Sequence, residues 1–349
     1  MAYTVINKST LHQNNVLYDG TGSSQGITGV GFEPSFTWIK QRSGTQEHWL
    51  VDAVRGTTKF LESNSANAES SDGATGFTSF DSDGFTVNTS ARTNQSSNTY
   101  ASWNWKANGA GSLNQDGSLD STVSANTSAG FSVVTYTGAG GSQTVGHGLG
   151  VIPQVIIIKR LDSSNGWIMY NEVLGNSAYL ILNTTAAEAS SAVFFDATNP
   201  TSSVFSLGND AGVNGGSNTY VAYCFANVDG YSRFGKYVGN GNASGPFVYT
   251  GFKPQLLIYK GYTGGGTTDN WEMHTAATDT YNPMDTVLYP NLTNAESAPG
   301  STTDRVDFCA TGFKMRTSGS DYNANGSSYI YMAWGQTAVG TNNIIGTAR

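Results

Sequence analysis

The feature that most constrains this chain is a run that occurs three times. It reads Gly31-Phe32-Glu33-Pro34-Ser35-Phe36-Thr37-Trp38-Ile39-Lys40, then Val151-Ile152-Pro153-Gln154-Val155-Ile156-Ile157-Ile158-Lys159. The third copy is Gly251-Phe252-Lys253-Pro254-Gln255-Leu256-Leu257-Ile258-Tyr259-Lys260. Each time the Lys follows the Pro by six residues. The surroundings repeat in the same order. A Tyr-x-Gly step at Tyr18, Tyr136 and Tyr237 precedes each Pro, and a Trp follows it at Trp49, Trp167 and Trp271. Next come Leu61, Asn64, Ala68 and Glu69, matched by Leu180, Asn183, Ala187 and Glu188, then by Leu288, Asn291, Ala295 and Glu296. Each copy closes on an apolar run, Tyr100–Trp105, Tyr220–Phe225 and Tyr329–Trp334. A period of roughly 90–110 residues is the size of a small domain and too long for solenoid or propeller repeats. The chain is three related domains, or three lobes of one body.

The spacing divides the 349 residues as follows: an arm over 1–15, unit one over 16–106 and a Gly/Ser/Asn-rich linker over 107–130. Unit two spans 131–226, unit three 227–336, and a polar tail 337–349. Apolar runs within each unit are four to eight residues long, rich in Val, Ile, Tyr, Phe and Trp, and bounded by Gly, Asn, Asp and Ser. That is the signature of strands. Gln154–Lys159 and Gln255–Lys260 are apolar throughout, as central strands covered on both faces should be. The Pro ahead of each run suits a strand start, where no ladder donor is needed. No segment carries a helical period. The expected fold is all-β, three β-sandwich or jelly-roll-like units in tandem.

Composition narrows the function. Charged residues are 12% of the chain, about half the usual fraction, while 41 aromatics (7 Trp, 18 Tyr, 16 Phe) require packed cores. A net charge of −8 and the absence of basic runs leave no footprint for nucleic acid. The N-terminus shows no secretion signal, and no window is apolar enough to enter a membrane. Cys224 and Cys309 occupy non-equivalent places and read as free thiols.

The opening Met1–Thr10, Gly29–Pro34, Trp38-Ile39-Lys40, Asp81-Ser82-Asp83-Gly84-Phe85 and Gly245–Phe252 together resemble a class of virion structural proteins of marine tailed bacteriophages. The resemblance spans nearly the whole chain and is weaker in unit two, where Val151-Ile152 replaces Gly-Phe. It implies a β-rich, non-enzymatic protein on the virion exterior, tail-fibre-like or otherwise external, assembled in the host cytoplasm. The partners it implies are other virion proteins, and a host-surface glycan or receptor. A homo-oligomer is expected.

No constellation points to chemistry. Gly22-Ser23-Ser24-Gln25-Gly26 fits an esterase elbow in letters but lacks the strand–turn–helix context that raises the Ser. His12, His48, His147 and His274 share no repeat position and no metal spacing. Asp81-Ser82-Asp83-Gly84 opens like a calcium loop, yet Arg92 stands where a bidentate acid belongs; a tight turn is the simpler reading, with incidental Ca²⁺ left open. Glu69, Glu188 and Glu296 stand singly where glycoside hydrolysis uses two carboxylates, so each reads, with its Asn, as a loop brace. No catalytic residue, metal ligand or cofactor is expected.

Pro34, Lys40, Pro153, Lys159, Pro254, Lys260, Asn64, Asn183 and Asn291 are read as structural. The three Lys are expected to be solvated strand terminators. Trp49, Trp167 and Trp271 are the candidate contact aromatics, weighed against a role in the core. Three readings stand: an attachment protein at the phage tail or a decoration on its head, a stand-alone carbohydrate-binding module, and a depolymerase.

Overall fold

The computed structural model describes residues 4–264, 269–297 and 305–336. The fold is all-β and antiparallel; among the described residues the helical elements are three four-residue α-helices and a 3-10 turn at Ser9–Leu11. The tail beyond 336 lies outside the described residues.

Each lobe is built on one four-stranded plan. An opening strand pairs with a closing strand, which pairs with a central strand, which pairs with a fourth. In lobe one these are Gln13–Asp19, Thr99–Trp105, Phe36–Gln41 and Trp49–Asp52. Lobe two uses Phe131–Thr137, Thr219–Phe225, Val155–Arg160 and Ile168–Asn171. Lobe three uses Ser232–Val238, Ser328–Gly335, Pro254–Thr263 and Glu272–Thr275. A small outer sheet lies over each. Its edge strand (Gln25–Ile27, Gln143–Gly146 or Phe247–Tyr249) pairs with Gly84–Val87, Val204–Leu207 or Gly312–Met315.

The closing, central and fourth strands of each lobe are buried on both faces, which explains the uninterrupted apolar strands. One face packs on its own outer sheet, giving each lobe a private core; in lobe one this core holds Ile39, Trp49, Val51, Phe77 and Phe85. The other face joins a single core common to all three lobes, including Phe36, Trp38, Val155, Ile157, Leu256 and Ile258. Ladder register makes Trp105, Phe225 and Trp334 equivalent, because they oppose Phe36, Val155 and Leu256. Their rings form a triangle with centroid distances of 6.3, 5.4 and 5.5 Å. This triangle marks a pseudo-threefold axis. A wholly apolar void of about 20 Å³ beside it is barely one water in size. The units are thus lobes of one body.

Two segments differ from their expected roles. The 107–130 stretch is not a free linker: Ser112–Asn114 and Ser121–Asn126 extend the lobe-two sheet. Polar residues can build such strands because the ladder uses backbone groups, and only Ser121, Val123 and Ser124 need burial. The arm is docked as well. Ile6 enters the common core, and Gln13 already belongs to the opening strand, where its side chain accepts from Gln255 Nε2 at 2.6 Å.

Candidate functional site

Backbone and side-chain groups of the repeat meet at the seams between lobes. The backbone N–H of Glu69 donates to Leu161 O (2.8 Å), that of Glu188 to Tyr262 O (3.3 Å), and that of Glu296 to Arg42 O (2.8 Å). Leu161, Tyr262 and Arg42 each stand two residues after the repeated Lys of the next lobe. Lobe one therefore grips lobe two, two grips three, and three grips one. The ring closes.

The Lys are not solvated terminators; Lys40, Lys159 and Lys260 are fully buried. Lys159 Nζ donates to Ala66 O across the lobe one–two seam (3.2 Å) and to Arg160 O (2.9 Å). Lys260 Nζ donates to Thr185 O across the next seam (3.0 Å) and to Asp269 O (2.7 Å). Lys40 Nζ reaches Gln41 O (2.7 Å) and Gly44 O (3.3 Å). Burial pushes all three ammonium groups down to about 8. A Lys placed last in a strand looks solvated in sequence, but here its stem continues the apolar face and its head reaches carbonyl oxygens.

Trp49, Trp167 and Trp271 are buried too, so none presents a ring to a solute. They are also not equivalent. Ile39 opposes Trp49, Ile158 opposes Ile168 and Tyr259 opposes Glu272, which makes His48 the counterpart of Trp167 and Trp271. The shift of one residue puts Trp49 on the opposite face, in the private core of lobe one. Asn64, Asn183 and Asn291 show the true alignment: their Oδ1 atoms accept from the backbone N–H of His48, Trp167 and Trp271 at 3.0, 2.9 and 3.0 Å. The indole N–H of Trp167 donates to Glu62 O (3.0 Å) and that of Trp271 to Ile181 O (3.4 Å). His48 Nε2 lies 3.0 Å from Tyr289 O, the equivalent carbonyl. His48 Nδ1 accepts from Trp38 Nε1 at 2.7 Å, which leaves Nε2 as the protonated nitrogen. Burial, with Lys40 nearby, lowers this imidazole to about 3.

A second threefold device joins the Tyr-x-Gly step to the closing strand within each lobe. Tyr18, Tyr136 and Tyr237 stack on Tyr100, Tyr220 and Tyr329 at 5.1, 5.1 and 4.8 Å. Asn94, Asn214 and Asn323, buried and each six residues before the closing-strand Tyr, tie that turn to the residue after the Tyr-x-Gly step. The Gly is required there: a Cβ on Gly20, Gly138 or Gly239 would lie 2.1, 2.5 or 2.2 Å from a backbone oxygen. The constant Asn-to-Tyr spacing was the available signal.

Two polar clusters are not threefold. Between lobes one and two, Arg55 Nε binds Asp52 Oδ2 (2.6 Å) and Arg55 Nη1 binds Glu69 Oε1 (3.1 Å), while Tyr223 donates to Asp52 Oδ2 (2.8 Å). Burial opposes the Arg55 charge, but Asp52, Tyr223 and Glu69 hold it firmly protonated. In lobe three, Tyr259 donates to Glu272 Oε2 (2.8 Å) and lies 3.2 Å from His274 Nε2. Acid, imidazole and phenol are together there, but all three are buried. The Glu272-Met273-His274 step on one strand was its sequence signal.

An open groove of about 440 Å³ lies on the seam of lobes one and two, within the range of ligand pockets. Thr135, Thr137 and Thr219 form its floor with Leu113, Glu69 and Asp120 along the sides. Glu69 is engaged by Arg55 and Lys59, and Asp120 by Gln115. These hydroxyls and carboxylates can hydrogen-bond a neutral polyhydroxyl solute. Asp83, from the possible calcium loop, instead accepts from the N–H groups of Gly29 (3.1 Å) and Gly31 (2.6 Å). The turn reading holds there, and the described residues contain no cluster of metal-binding side chains.

Ring, common core and outer sheets define a class of all-β, three-lobed sandwich protein. Residues 8–337 match the family described as Domain of unknown function (DUF7483), and the chain belongs to it. No curated protein matches the chain.

Proposed function

We propose that this chain is a non-enzymatic exterior structural protein of a tailed-phage virion, with attachment at the tail as its first role. Capsid decoration on the head is the variant of the same reading. It acts alongside other virion proteins as a homo-oligomer and is assembled in the host cytoplasm. One observation carries the reading: the side chains that recur threefold either bond across the seams or brace a turn within a lobe, as a rigid brick requires. The low charge and the resemblance to virion proteins support it further. Gold-labelled antibody against the chain, applied to purified particles, tests it. Label at the tail is expected, and label on the head assigns the decoration variant. Purified particles that lack the chain refute both.

The groove on the seam of lobes one and two favours a second reading, a carbohydrate-binding module that contacts host glycans. A glycan panel probed with wild type and with Thr135→Ala/Thr137→Ala checks it. Binding that the double substitution abolishes is expected, and a panel without binding excludes it.

A further inference from the structure

The outer-sheet edge strands are treated differently in the three lobes. Register makes Gly26, Thr144 and Phe247 equivalent, because the following residues Ile27, Val145 and Val248 oppose Phe85, Phe205 and Phe313. In lobe two the edge is occupied by the chain's own segment Gly117-Ser118-Leu119. Leu119 forms a parallel bridge with Val145, its N–H donates to Thr144 O (3.0 Å), and Ser118 N–H donates to Thr144 Oγ1 (2.9 Å). Gly117 is needed for this approach, since a Cβ there would lie 2.4 Å from Thr144 O. Acidic residues, Asp116 and Asp120, flank the segment.

In lobe three the same edge is bare. Phe247–Tyr249 ends its sheet, and among the described residues no backbone group pairs on its outer side. Phe247 and Tyr249 are 49% and 64% exposed, where lobe one has Gly26 and Thr28 and lobe two has Thr144 and Gly146. Lys314 stands opposite Phe247 on the same face, and its one described contact is the Ser244 hydroxyl at 3.4 Å. Asp307 stands opposite Lys314 on the next strand; Lys314, Arg316 and Lys253 also lie near enough to bear on the Cys309 thiol, which burial and Asp307 push up. Asp307 is already met by Arg316 at 3.5 Å. The face is thus locally basic on a protein of net charge −8.

We infer that the bare edge Phe247–Tyr249 docks an extended acidic segment of a partner protein, which adds as a strand in the way Gly117–Leu119 adds in lobe two. Backbone hydrogen bonds supply the pairing. The flat ring of Tyr249, at the position where Gly146 leaves room for Asn114 in lobe two, selects an apolar or planar side chain. Lys314 selects negative charge. This goes beyond the virion reading and does not depend on it.

The test uses the full chain and a fluorescent peptide with the sequence of residues 112–123. Anisotropy is expected to show saturable binding that weakens about tenfold or more when Asp116 and Asp120 of the peptide become Lys. Tyr249→Ser should weaken it similarly. Lys314→Glu should weaken the acidic peptide and restore the Lys-bearing one, a reversal that a misfolded variant cannot produce. Slowed amide exchange at Phe247 and Tyr249 should accompany binding. Absence of saturable binding at millimolar peptide, or no reversal with Lys314→Glu, overturns the inference. So does alginate binding in place of the peptide that survives Tyr249→Ser, which would assign the cations to an anionic glycan.

Discussion

The three buried Lys set a pH dependence of stability that can be worked out in advance. Each has an ordinary value of 10.5 lowered by burial to about 8. Below pH 8 the folded protein holds three buried ammonium groups. A tenfold loss of proton affinity corresponds to about 1.4 kcal/mol, so each charge costs roughly 3 kcal/mol relative to the unfolded chain. Between pH 8 and 10.5 the unfolded state binds more protons than the folded state, and stability therefore rises with pH. From pH 7 to 9 the gain is roughly 1.3 kcal/mol per Lys, or about 4 kcal/mol for three. Above pH 9 the unfolded tyrosines begin to ionise, while Tyr136 and Tyr237 are held well above 10 by burial, so the window stops there. Lys159→Met isolates one contribution. At pH 7 it removes a cost of roughly 3 kcal/mol but loses two charge-assisted hydrogen bonds of about 1.5–3 kcal/mol each, so its net effect runs from about zero to roughly 3 kcal/mol of destabilisation. Ala66 O keeps its bond from Asn165 N–H at 2.8 Å, while Arg160 O loses the Lys159 donor. The decisive quantity is the difference between wild type and variant, which should move by roughly 1 kcal/mol against the variant from pH 7 to 9. Urea denaturation followed by tryptophan fluorescence at pH 7, 8 and 9 measures it. Parallel pH profiles for wild type and Lys159→Met would refute the reasoning.

Acid should act through His48, whose pKa is lowered to about 3 from 6.5. Stability present above pH 6.5 is then lost progressively as pH falls towards 3, and His48→Gln should flatten that loss in the same denaturation series. Asn214→Ala removes the acceptor of Ala139 N–H (3.0 Å) and the donor to Gly141 O (2.7 Å) and Gly208 O (3.0 Å). It should cost about 3 kcal/mol or more, whereas an exposed Asn242→Ala control should cost under ~0.5 kcal/mol. Trp334→Ala opens a cavity at the axis and should cost about 3–5 kcal/mol. Calorimetry should show a single transition moved to lower temperature, because the core is common; a surviving separate transition would mean that a lobe stands on its own.

What the sequence made legible followed from local rules. Short, continuous apolar runs located the strands, and the recurring Pro, Lys and Tyr-x-Gly landmarks separated three units whose strands follow one order. The remainder was hidden because its partners are distant in the chain or because a register shift of one residue changes the face. Lys159 looks like a strand end until Ala66 O from lobe one comes within 3.2 Å. Trp49 looks like a copy of Trp167 until register shows that His48 fills that slot with a different ring and a bond to the same carbonyl position. The ring therefore tolerates a change of side chain so long as one N–H still points across the seam, which argues that the seam bond, and not the indole, is what the repeat preserves. The same logic separates structure from contact surface. Where three lobes agree, as at Asn64, Asn183 and Asn291, the residue holds the body together. Where they disagree, as at Gly26, Thr144 and Phe247, no seam bond constrains the choice, and the surface is free to serve one partner at one edge.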